Sequence, residues 1–386
     1  MAKKVIYPYI DTPAVLVDLE RLEGNLQTMQ KAADDAGIKF RPHTKVHESL
    51  EIAKMQLKTG ASGIEVGPLA QAEVMADGGV RDILVAHPFY GESKIEILTR
   101  LLARANLKLS FVVDMVEQAE AISKVAQMQG RRVPVLIKLE TGIDRYGVPP
   151  GQPAVDLANK IRALSGVEVA GIYAHEVGAK PTEEGLLACA LEIGTKVCDT
   201  ARMLKKEGFK INHVSVGASP THYATCRLIK EGKLPEVTEL HPGNRAIGDL
   251  RYMAGGGNTF EEIALTVLVG VMSTSHTTHV VVDAGWKTFG AEIMFQYRDK
   301  PDYFWKNLPS YGQVKGRSDL RLAKLAAETG WVYYLENAKK DLKIGDRMEI
   351  YPNSANLVVN LHDKMYGVRN GEIERIIPVT GRGKGS

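Results

Sequence analysis

The sequence has few of the features that mark several classes of protein. Its 386 residues include only three cysteines, Cys189, Cys198 and Cys226, and none of them has the spacing of a metal-binding pair. We interpret them as small buried hydrophobic residues in a reduced, cytoplasmic protein. No apolar run approaches the length of a membrane span, and the start, MAKKVIYPYIDTP, is unlike a signal peptide.

A strong charge of one sign is also missing. The chain has 49 basic and 46 acidic residues, which gives a net charge of +3. Such a balance excludes a field that would attract nucleic acid or an anionic membrane. Residues 36–50 contain no G-x-G-x-x-G after the first predicted strand, which argues against a doubly wound dinucleotide-binding fold.

The pattern that is present is an alternation of short β-branched runs with amphipathic stretches. It extends from about residue 20 to 255 and is typical of parallel strands that are each followed by a helix. The predicted strands are residues 38–41, 63–66, 83–86, 107–113, 133–139, 169–175, 213–216 and 236–240. Eight such strands predict an α/β fold, a TIM-like (β/α)8 barrel.

Beyond residue 255 the pattern changes to short alternating strands, as in EEIALTVLVGVMS, THVVVDAGWK, GDRMEIYPNSANLVVNL and GEIERIIPV. This pattern predicts an all-β domain. The N-terminal run AVLVDLE is strand-like too and is expected to join it. We therefore predict a barrel over residues 20–255 and a β-rich domain formed by residues 1–19 and 256–386.

Lys45 is the first candidate for chemistry. In RPHTKVH it follows the first predicted barrel strand, and Pro42 disfavours an early helix. The carboxyl ends of barrel strands host the chemistry, so the amine is expected at the barrel mouth. A lysine that forms a Schiff base must be partly desolvated, which the mouth allows. From its neighbours alone, a solvated lysine is the simpler interpretation.

Two loops after late strands are candidates for binding a phosphate. In VSVGASPT, Gly217, Ala218 and Ser219 leave backbone N–H groups and a hydroxyl free. In ELHPGN, Gly243 and Asn244 follow the next strand, and TIM barrels often bind phosphate after strands seven and eight. Either segment alone could be an ordinary loop, and together they predict a phosphate site.

A histidine and an arginine lie at two other strand ends. His175 ends the sixth predicted strand in IYAHE, where a core histidine and a catalytic histidine are both open interpretations. Arg145, in KLETGIDRYG, presents a planar and permanently charged guanidinium that suits a substrate carboxylate. A surface salt bridge is the alternative for Arg145.

These motifs, taken in order, resemble a known family: fold-type III pyridoxal-phosphate enzymes of the D-threonine aldolase and D-serine dehydratase branch, which have an alanine-racemase-like N-terminal barrel. The resemblance spans nearly the whole chain. It rests on DTPAVLVDLERLEGNL, RPHTK, ASGIEVGPLAQAEVMADGGVRDILVAHP, KLETGIDRYGV, IYAHE, SVGASPT, ELHPGN, VVVDAGWK and VNLHDKMYGVRNGEIERIIPVTGRGK.

The resemblance implies pyridoxal 5′-phosphate as the cofactor, with Lys45 holding it as a Schiff base. It places His175 against the pyridine ring, and His241 at the position of an arginine that faces the pyridine nitrogen in alanine racemases. The residues that it assigns to cofactor binding are Lys45, Arg145, Tyr173, His175, Gly217, Ala218, Ser219, His241, Gly243 and Asn244.

One departure from the family concerns metal. Metal-dependent members have a histidine and, two residues later, an aspartate or cysteine, where this chain has Ser354 and Asn356. Serine and asparagine are poor substitutes for such ligands, which bind the ion that polarises the substrate β-hydroxyl. We therefore expect no metal at these positions.

The resemblance implies a lyase that acts on a small D-amino acid, and aldol cleavage of a D-β-hydroxy amino acid to glycine and an aldehyde is our first expectation. A neutral His43, His47 or another base at the barrel mouth would then take the hydroxyl proton. D-serine dehydratase-like β-elimination, a metal-independent racemase or epimerase, and a non-catalytic carrier of the cofactor are the alternatives. A homodimer is also implied, with active sites completed by the partner.

Overall fold

The computed structural model describes residues 6–294 and 310–385. Contacts between Cα atoms divide the chain into two units. The β-rich unit comprises Met1–Asn25, Val46–Ser49 and Asn244–Arg382, and the barrel unit comprises Leu26–Lys45, Leu50–Gly243 and Gly383–Ser386. The domain boundaries at residues 20 and 255 stay a prediction, and residues 1–5, 295–309 and 386 of the expected β-rich domain lie outside the described residues.

The described strands are β1 (Ala14–Asp18), β2 (Lys39–Phe40), β3 (Ile64–Val66), β4 (Asp82–Val85), β5 (Lys108–Val113), β6 (Val133–Leu139), β7 (Val167–His175), β8 (His213–Gly217), β9 (Glu239–Leu240), β10 (Leu265–Ser273), β11 (His279–Val282), β12 (Gly312–Val314), β13 (Leu320–Leu325), β14 (Gly330–Tyr334), β15 (Arg347–Pro352), β16 (Lys364–Arg369) and β17 (Glu372–Pro378). The described helices are α1 (Leu19–Asp35), α2 (Leu50–Thr59), α3 (Leu69–Asp77), α4 (Glu92–Leu102), α5 (Val116–Met128), α6 (Gln152–Arg162), α7 (Glu183–Lys206), α8 (His222–Lys230), α9 (Leu250–Ala254), α10 (Trp286–Phe289) and α11 (Ala355–Asn360).

The barrel unit contains an eight-stranded parallel sheet in the order β2-β9-β8-β7-β6-β5-β4-β3. The sheet closes between its two ends through a single parallel bridge from His43 to Glu65, supported by a hydrogen bond from the Glu65 N–H to the Pro42 carbonyl at 2.9 Å. The eight predicted barrel strands are all present, with ends that shift by at most a few residues. The prediction of a TIM-like barrel is confirmed.

Apolar residues explain why these runs form a closed sheet. Helices cover the outer face of a parallel barrel, so its strands are buried on both faces and rich in β-branched residues. In β6, six of the seven residues of VPVLIKL are buried, and Lys138 is one of them. A lysine held inside such a strand is unusual, because burying its charge costs free energy unless a partner or a lost proton compensates.

The β-rich unit contains a nine-stranded sheet in the order β11-β14-β13-β12-β15-β10-β1-β16-β17. The N-terminal strand β1 lies between β10, to which it is antiparallel, and β16, to which it is parallel. The prediction that the N-terminal run joins the second sheet is therefore confirmed, because its buried apolar residues complete the middle of that sheet.

Two segments read as strand are partly helical. THVVVDAGWK forms β11 and then enters α10 at Trp286, and GDRMEIYPNSANLVVNL forms β15 and then α11. In the second case Ser354 caps the helix: its side chain accepts a hydrogen bond from the Leu357 N–H at 3.4 Å. A serine before a short apolar run favours a helix start over continued strand.

Cys189, Cys198 and Cys226 are free thiols in α7 and α8. Among the described residues, no helix has the length and apolar content needed to cross a membrane.

Substitution of Gly171 tests the close approach of β7 and β8. A Cβ atom there would overlap the His213 carbonyl oxygen, which belongs to the neighbouring strand and cannot move aside alone. We expect Gly171→Ala to lower the free energy of unfolding by about 1–3 kcal/mol, measured by urea denaturation. Gly24→Ala in α1 is the control, since nothing lies within 4 Å of the added Cβ. It should raise the free energy of unfolding by up to about 1 kcal/mol, and equal stability of the two variants would contradict the prediction.

Candidate active site

The carboxyl ends of the barrel strands bring most of the candidate side chains together, since parallel strands in a closed sheet all end on one side. Each is placed by a strand or by the residues directly after it. The side chains near one another at this end are Lys45, Glu65, His87, Lys138, Tyr173, His175 and His241.

Lys45 lies in a short 3-10 turn, Thr44–Val46, directly after β2. Its backbone N–H donates a hydrogen bond to Nδ1 of His43 at 3.2 Å, which fixes the turn. Burial lowers the pKa of the Lys45 amine; the nearby Glu65 carboxylate opposes the change and the Arg145 charge adds to it. The amine therefore gives up its proton more readily than an exposed lysine, as attack on a carbonyl carbon requires.

His43 links the lysine turn to Glu65. Its Nε2 lies 3.5 Å from Oε1 of Glu65, and burial, followed by the charge of Lys45, lowers the pKa of His43. A neutral ring whose Nδ1 accepts from Lys45 must carry its proton on Nε2, the atom that faces Glu65. The ring is thus a fixed connection between Lys45 and Glu65, with both nitrogens engaged.

Glu65 is a buried carboxylate in β3. Burial raises its pKa, while a hydrogen bond from the Tyr173 hydroxyl to Oε1 at 2.8 Å and the charge of Lys45 both oppose that change. The charge of Glu65 thus favours the protonated form of Lys45, and the charge of Lys45 favours the ionised form of Glu65.

His241 lies against Tyr173, with ring centroids 4.2 Å apart and an angle of 15° between the planes. Its Nδ1 is 2.9 Å from the Ser215 hydroxyl, and its buried Nε2 has no hydrogen-bond partner among the described residues. Burial lowers the pKa of His241, so the ring is neutral. A neutral ring with one unpaired nitrogen suits a ligand atom that accepts or donates one hydrogen bond.

His175, at the end of β7, has its ring centroid 6.3 Å from that of His241, with 25° between the planes. Its Nδ1 lies 2.9 Å from the Gly217 carbonyl oxygen, which can only accept, so Nδ1 carries the proton. Burial and then the Lys45 charge lower the pKa of His175 to about 3. Like His241, it is neutral at physiological pH.

Arg145 lies on the loop after β6. The Glu140 carboxylate shapes this loop by accepting hydrogen bonds from the backbone N–H groups of Ile143, at 2.7 Å, and Asp144, at 3.2 Å. The Arg145 side chain is exposed, and its guanidinium carbon lies 4.4 Å from the centre of the Tyr146 ring. No carboxylate of the described residues forms an ion pair with it. The guanidinium is thus available to an anionic substrate group.

Lys138 is a second buried lysine, and its Nζ lies 5.0 Å from the centre of the Tyr173 ring. Burial and then the Arg145 charge lower the pKa of Lys138 to about 8. It is the one other lysine described here that occupies a buried strand position at this end of the barrel, and sequence reasoning did not single it out.

The loop Gly217 to Thr221 forms a cradle before α8. Gly217 has φ of 143°, and a Cβ there would lie 3.1 Å from Cδ of Pro242. At Gly243, a Cβ would overlap the His43 carbonyl oxygen, so both loops approach other atoms more closely than a side chain permits. Glycine at such points lets backbone N–H groups face a bound anion.

The residues present fit pyridoxal phosphate. The N-terminus of α8 suits the phosphate group. Next to it, the Glu176 carboxyl group accepts hydrogen bonds from the Ala218 backbone and from the Thr221 and Thr225 hydroxyls. The unpaired Nε2 of His241 suits the ring nitrogen, and a lysine with a lowered pKa suits the aldehyde carbon. The assignment of each residue to cofactor binding stays a prediction.

Four residues named from the sequence belong to the β-rich unit. Asn244 donates from Nδ2 to Asp249 at 3.1 Å, and Nδ1 of buried His47 accepts from the Ser49 N–H at 3.1 Å. Ser354 caps α11, and Asn356 lies in the first turn of that helix. What the sequence predicts for them toward the cofactor or a metal stays a prediction.

Sequence reasoning missed Glu65, His87 and Lys138. Glu65 and Lys138 carry a signal, since each is an ionisable residue inside a short apolar strand. His87 has the signal that identified His175, a histidine that follows a barrel strand. What the sequence lacked was the distance between these strands.

The chain matches the model of the family described as "Alanine racemase, N-terminal domain" over residues 17–243, and that of a "Putative serine dehydratase domain" over residues 264–368. It is 29% identical to a 3-hydroxy-D-aspartate aldolase of Paracoccus denitrificans (strain Pd 1222), covering 97% of this chain and 93% of that protein. It is 32% identical to a D-threo-3-hydroxyaspartate dehydratase of Delftia sp. (strain HT23), and this match covers 79% of this chain and 77% of that protein.

The fold is similar to a solved structure as well. The crystal structure of D-threonine aldolase from Filomicrobium marinum superposes with a TM-score of 0.83 at 27% identity, and the match covers 100% of both chains. A likeness over the whole length means that both the barrel and the β-rich unit have counterparts in that enzyme.

Two buried lysines make the identity of the cofactor lysine testable. After borohydride reduction of the holoenzyme, mass spectrometry of peptides should find the cofactor on Lys45. Lys45→Ala should lose both the covalent label and the visible absorption band, because the other buried lysine of the site, Lys138, lies on a different strand, β6. Lys138→Met is the matched control and should keep both. A label on the Lys138 peptide, or a retained label in Lys45→Ala, would contradict the assignment.

The neutral state of His175 predicts how stability depends on pH. Its pKa is about 3 in the folded chain and ~6.5 when unfolded. The unfolded chain therefore binds the proton first, and stability present above pH ~6.5 is lost as the pH falls toward 3. When the pH falls from 7.5 to 5, the free energy of unfolding of His175→Asn should therefore decrease by about 2 kcal/mol less than that of wild type. Urea denaturation of the cofactor-free proteins measures this, with exposed His276→Asn as the control; parallel losses in His175→Asn and wild type would refute it.

Proposed function

The chain belongs to the alanine racemase N-terminal domain family and is a pyridoxal-phosphate-dependent lyase of D-amino acids, and from this premise we propose that it cleaves a D-β-hydroxy amino acid to glycine and an aldehyde without a metal ion. The family resemblance drawn from the ordered motifs, the cofactor and the enzyme class are confirmed. The exact reaction and the absence of a metal are our proposals.

One observation carries the proposal: Lys45 lies partly buried at the barrel mouth, with a lowered pKa and with His43 and Glu65 beside it. When bound, the cofactor supplies an electron sink that weakens the bonds at the substrate Cα. Which bond breaks depends on how this chain orients the substrate and where it places bases. The residues that do so in this proposal are Arg145, Lys138 and Lys45.

Arg145 and Lys138 hold the substrate in this proposal. Arg145 is exposed and has no carboxylate partner in the described chain, so it can bind the α-carboxylate through two hydrogen bonds. The pKa of Lys138, at about 8, keeps part of the population charged near neutral pH and adds attraction for an anion. A fixed carboxylate orients the bonds at Cα and thereby determines which one breaks.

Lys45 moves the proton at Cα. The lowered pKa of its amine lets Lys45 release a proton more readily than an exposed lysine does, while the charge of Glu65 favours the protonated amine that can deliver one. After the Cα–Cβ bond has broken, a proton that Lys45 delivers to Cα completes glycine. His43 keeps the turn that carries Lys45 in place through its hydrogen bond to the backbone.

Ser354 supports a metal-free reaction. The residue is buried and uses its hydroxyl to cap α11, while the Ala355 N–H beside it donates to Asp249 at 2.9 Å. Ser354 and Asn356 thus offer a committed hydroxyl and an amide, which bind divalent transition ions weakly. In the described residues, no group of three or more histidine, cysteine, aspartate or glutamate side chains is placed to hold a metal ion.

β-Elimination is a second candidate, because the dehydratase of Delftia sp. is 32% identical to this chain. It would give a keto acid and ammonia in place of an aldehyde and glycine, so products distinguish the two reactions. A racemase or a non-catalytic carrier would form neither pair. A homodimer and a cytoplasmic location also stay predictions.

Metal removal tests the proposed reaction. We expect the holoenzyme to form acetaldehyde and glycine from D-threonine, or glyoxylate and glycine from 3-hydroxy-D-aspartate, at a rate unchanged after dialysis against EDTA. Added Mn²⁺ should not raise it. A known metal-dependent enzyme treated in parallel controls for chelation. A rate that falls on chelation and is restored by Mn²⁺ would refute the proposal of a metal-free reaction. A keto acid as the product would favour β-elimination.

A further inference from the structure

We propose that His87 is the catalytic base that takes the proton from the substrate β-hydroxyl, an inference that rests on the proposed aldol cleavage. Cleavage between Cα and Cβ requires the hydroxyl oxygen to lose its proton. In the proposed reaction no metal ion activates that hydroxyl, so a side chain must do so.

The backbone fixes His87 at the barrel mouth. The Ala86 N–H donates to the Val66 carbonyl at 2.9 Å, and the His87 N–H donates to the Gly67 carbonyl at 3.2 Å, so the segment after β4 continues alongside the end of β3. A Cβ at Gly67 would lie 2.9 Å from Cε1 of His87. Glycine at residue 67 therefore leaves the space that the imidazole fills.

The ring of His87 lies between the two parts of the site that handle the substrate. Its centroid is 6.4 Å from that of His43, the residue that fixes Lys45, and 6.2 Å from that of Tyr146, over which the Arg145 guanidinium is placed. Both contacts are edge-to-face. A substrate bound by Arg145 and attached beside Lys45 would place its side chain in reach of this ring.

His87 is neutral at physiological pH. Burial, together with the positive charges of Lys45 and Arg145, lowers its pKa to about 4. His43 and Tyr146 face it without adding a negative charge. A neutral imidazole has a free lone pair, and the nearby cations make the substrate hydroxyl more acidic.

The other histidines of the site have tasks already under the proposed function: the family resemblance places His175 against the pyridine ring, and the unpaired Nε2 of His241 suits the ring nitrogen. His43 uses both nitrogens, toward Lys45 and Glu65, and Nδ1 of His175 and of His241 is held by Gly217 and Ser215. Over residues 6–294 and 310–385, the His87 side chain forms no hydrogen bond, and it is only half-buried. It is thus accessible to a substrate in a way that fully buried His43 is not.

The proposed step is balanced. The O–H bond of the β-hydroxyl breaks, and its proton bonds to a ring nitrogen of His87. The oxygen electron pair forms the aldehyde C=O as the Cα–Cβ bond breaks, and the pair from that bond stays on Cα until the proton from Lys45 bonds there. His87 then passes its proton to water and Lys45 regains one from water, which leaves glycine, an aldehyde and the enzyme in its starting protonation state.

His87→Ala in the holoenzyme tests this assignment, with exposed His276→Ala as the matched control. Glycine provides an internal reference, because exchange of its Cα hydrogen in deuterated water is the reverse of the last step and involves no hydroxyl. We expect aldehyde formation from D-threonine to fall by roughly 100-fold or more. Glycine exchange, followed by NMR, and the dissociation constant of D-threonine, from the change in cofactor absorption, should stay within about 3-fold. Added imidazole should restore part of the aldehyde rate, which a merely structural role would not produce.

Each outcome decides between the proposals. If wild type forms no aldehyde from any D-β-hydroxy amino acid, the proposed function fails and this inference fails with it. If wild type cleaves D-threonine and His87→Ala cleaves it equally well, only the inference is overturned. Equal losses of cleavage and glycine exchange in His87→Ala, without rescue by imidazole, would also overturn it, because they would place His87 in a step that both reactions share.

Discussion

The contact between His43 and Glu65 is the interaction on which the barrel unit and its candidate site both depend. It is the only bridge between β3 and the strand region that begins at β2, so it closes the described eight-stranded sheet. Lys45 lies two residues further on, and its backbone donates to the same His43 ring. The Ser62 N–H and the Thr44 hydroxyl add hydrogen bonds between the same two chain segments. A change that weakens barrel closure at this point would therefore also affect the lysine.

Burial determines the electrostatics of this site more than ion pairing does. The pKa of His43, His87, His175 and His241 is lowered chiefly by loss of solvent, so four rings near one another stay neutral. Four charged rings in that space would repel each other and the two lysines. The positive charge that remains comes mainly from Arg145 and Lys138, which suits a ligand that carries a phosphate and a carboxylate.

In the β-rich unit, the Ser354 side chain has a structural task at the start of a helix. Ser354 at the start of α11 accepts the N–H of Leu357, and Asp249 accepts that of Ala355, so two of the unsatisfied N–H groups of the helix are bound. A hydroxyl used in this way is a structural group of the helix. Under the proposed function, the task of activating the hydroxyl then belongs to the barrel unit.

The sequence by itself determined the eight barrel strands, the N-terminal strand of the second sheet and the position of Lys45 after β2. These follow from local physics: β-branched runs favour strands, and parallel strands place chemistry at their carboxyl ends. The helical ends of THVVVDAGWK and GDRMEIYPNSANLVVNL were missed; in the second, capping by Ser354 competes with an apolar alternation. Only the tertiary structure brought together Glu65, His87 and Lys138, because their protonation and hydrogen bonds depend on burial and on neighbours far away in the chain.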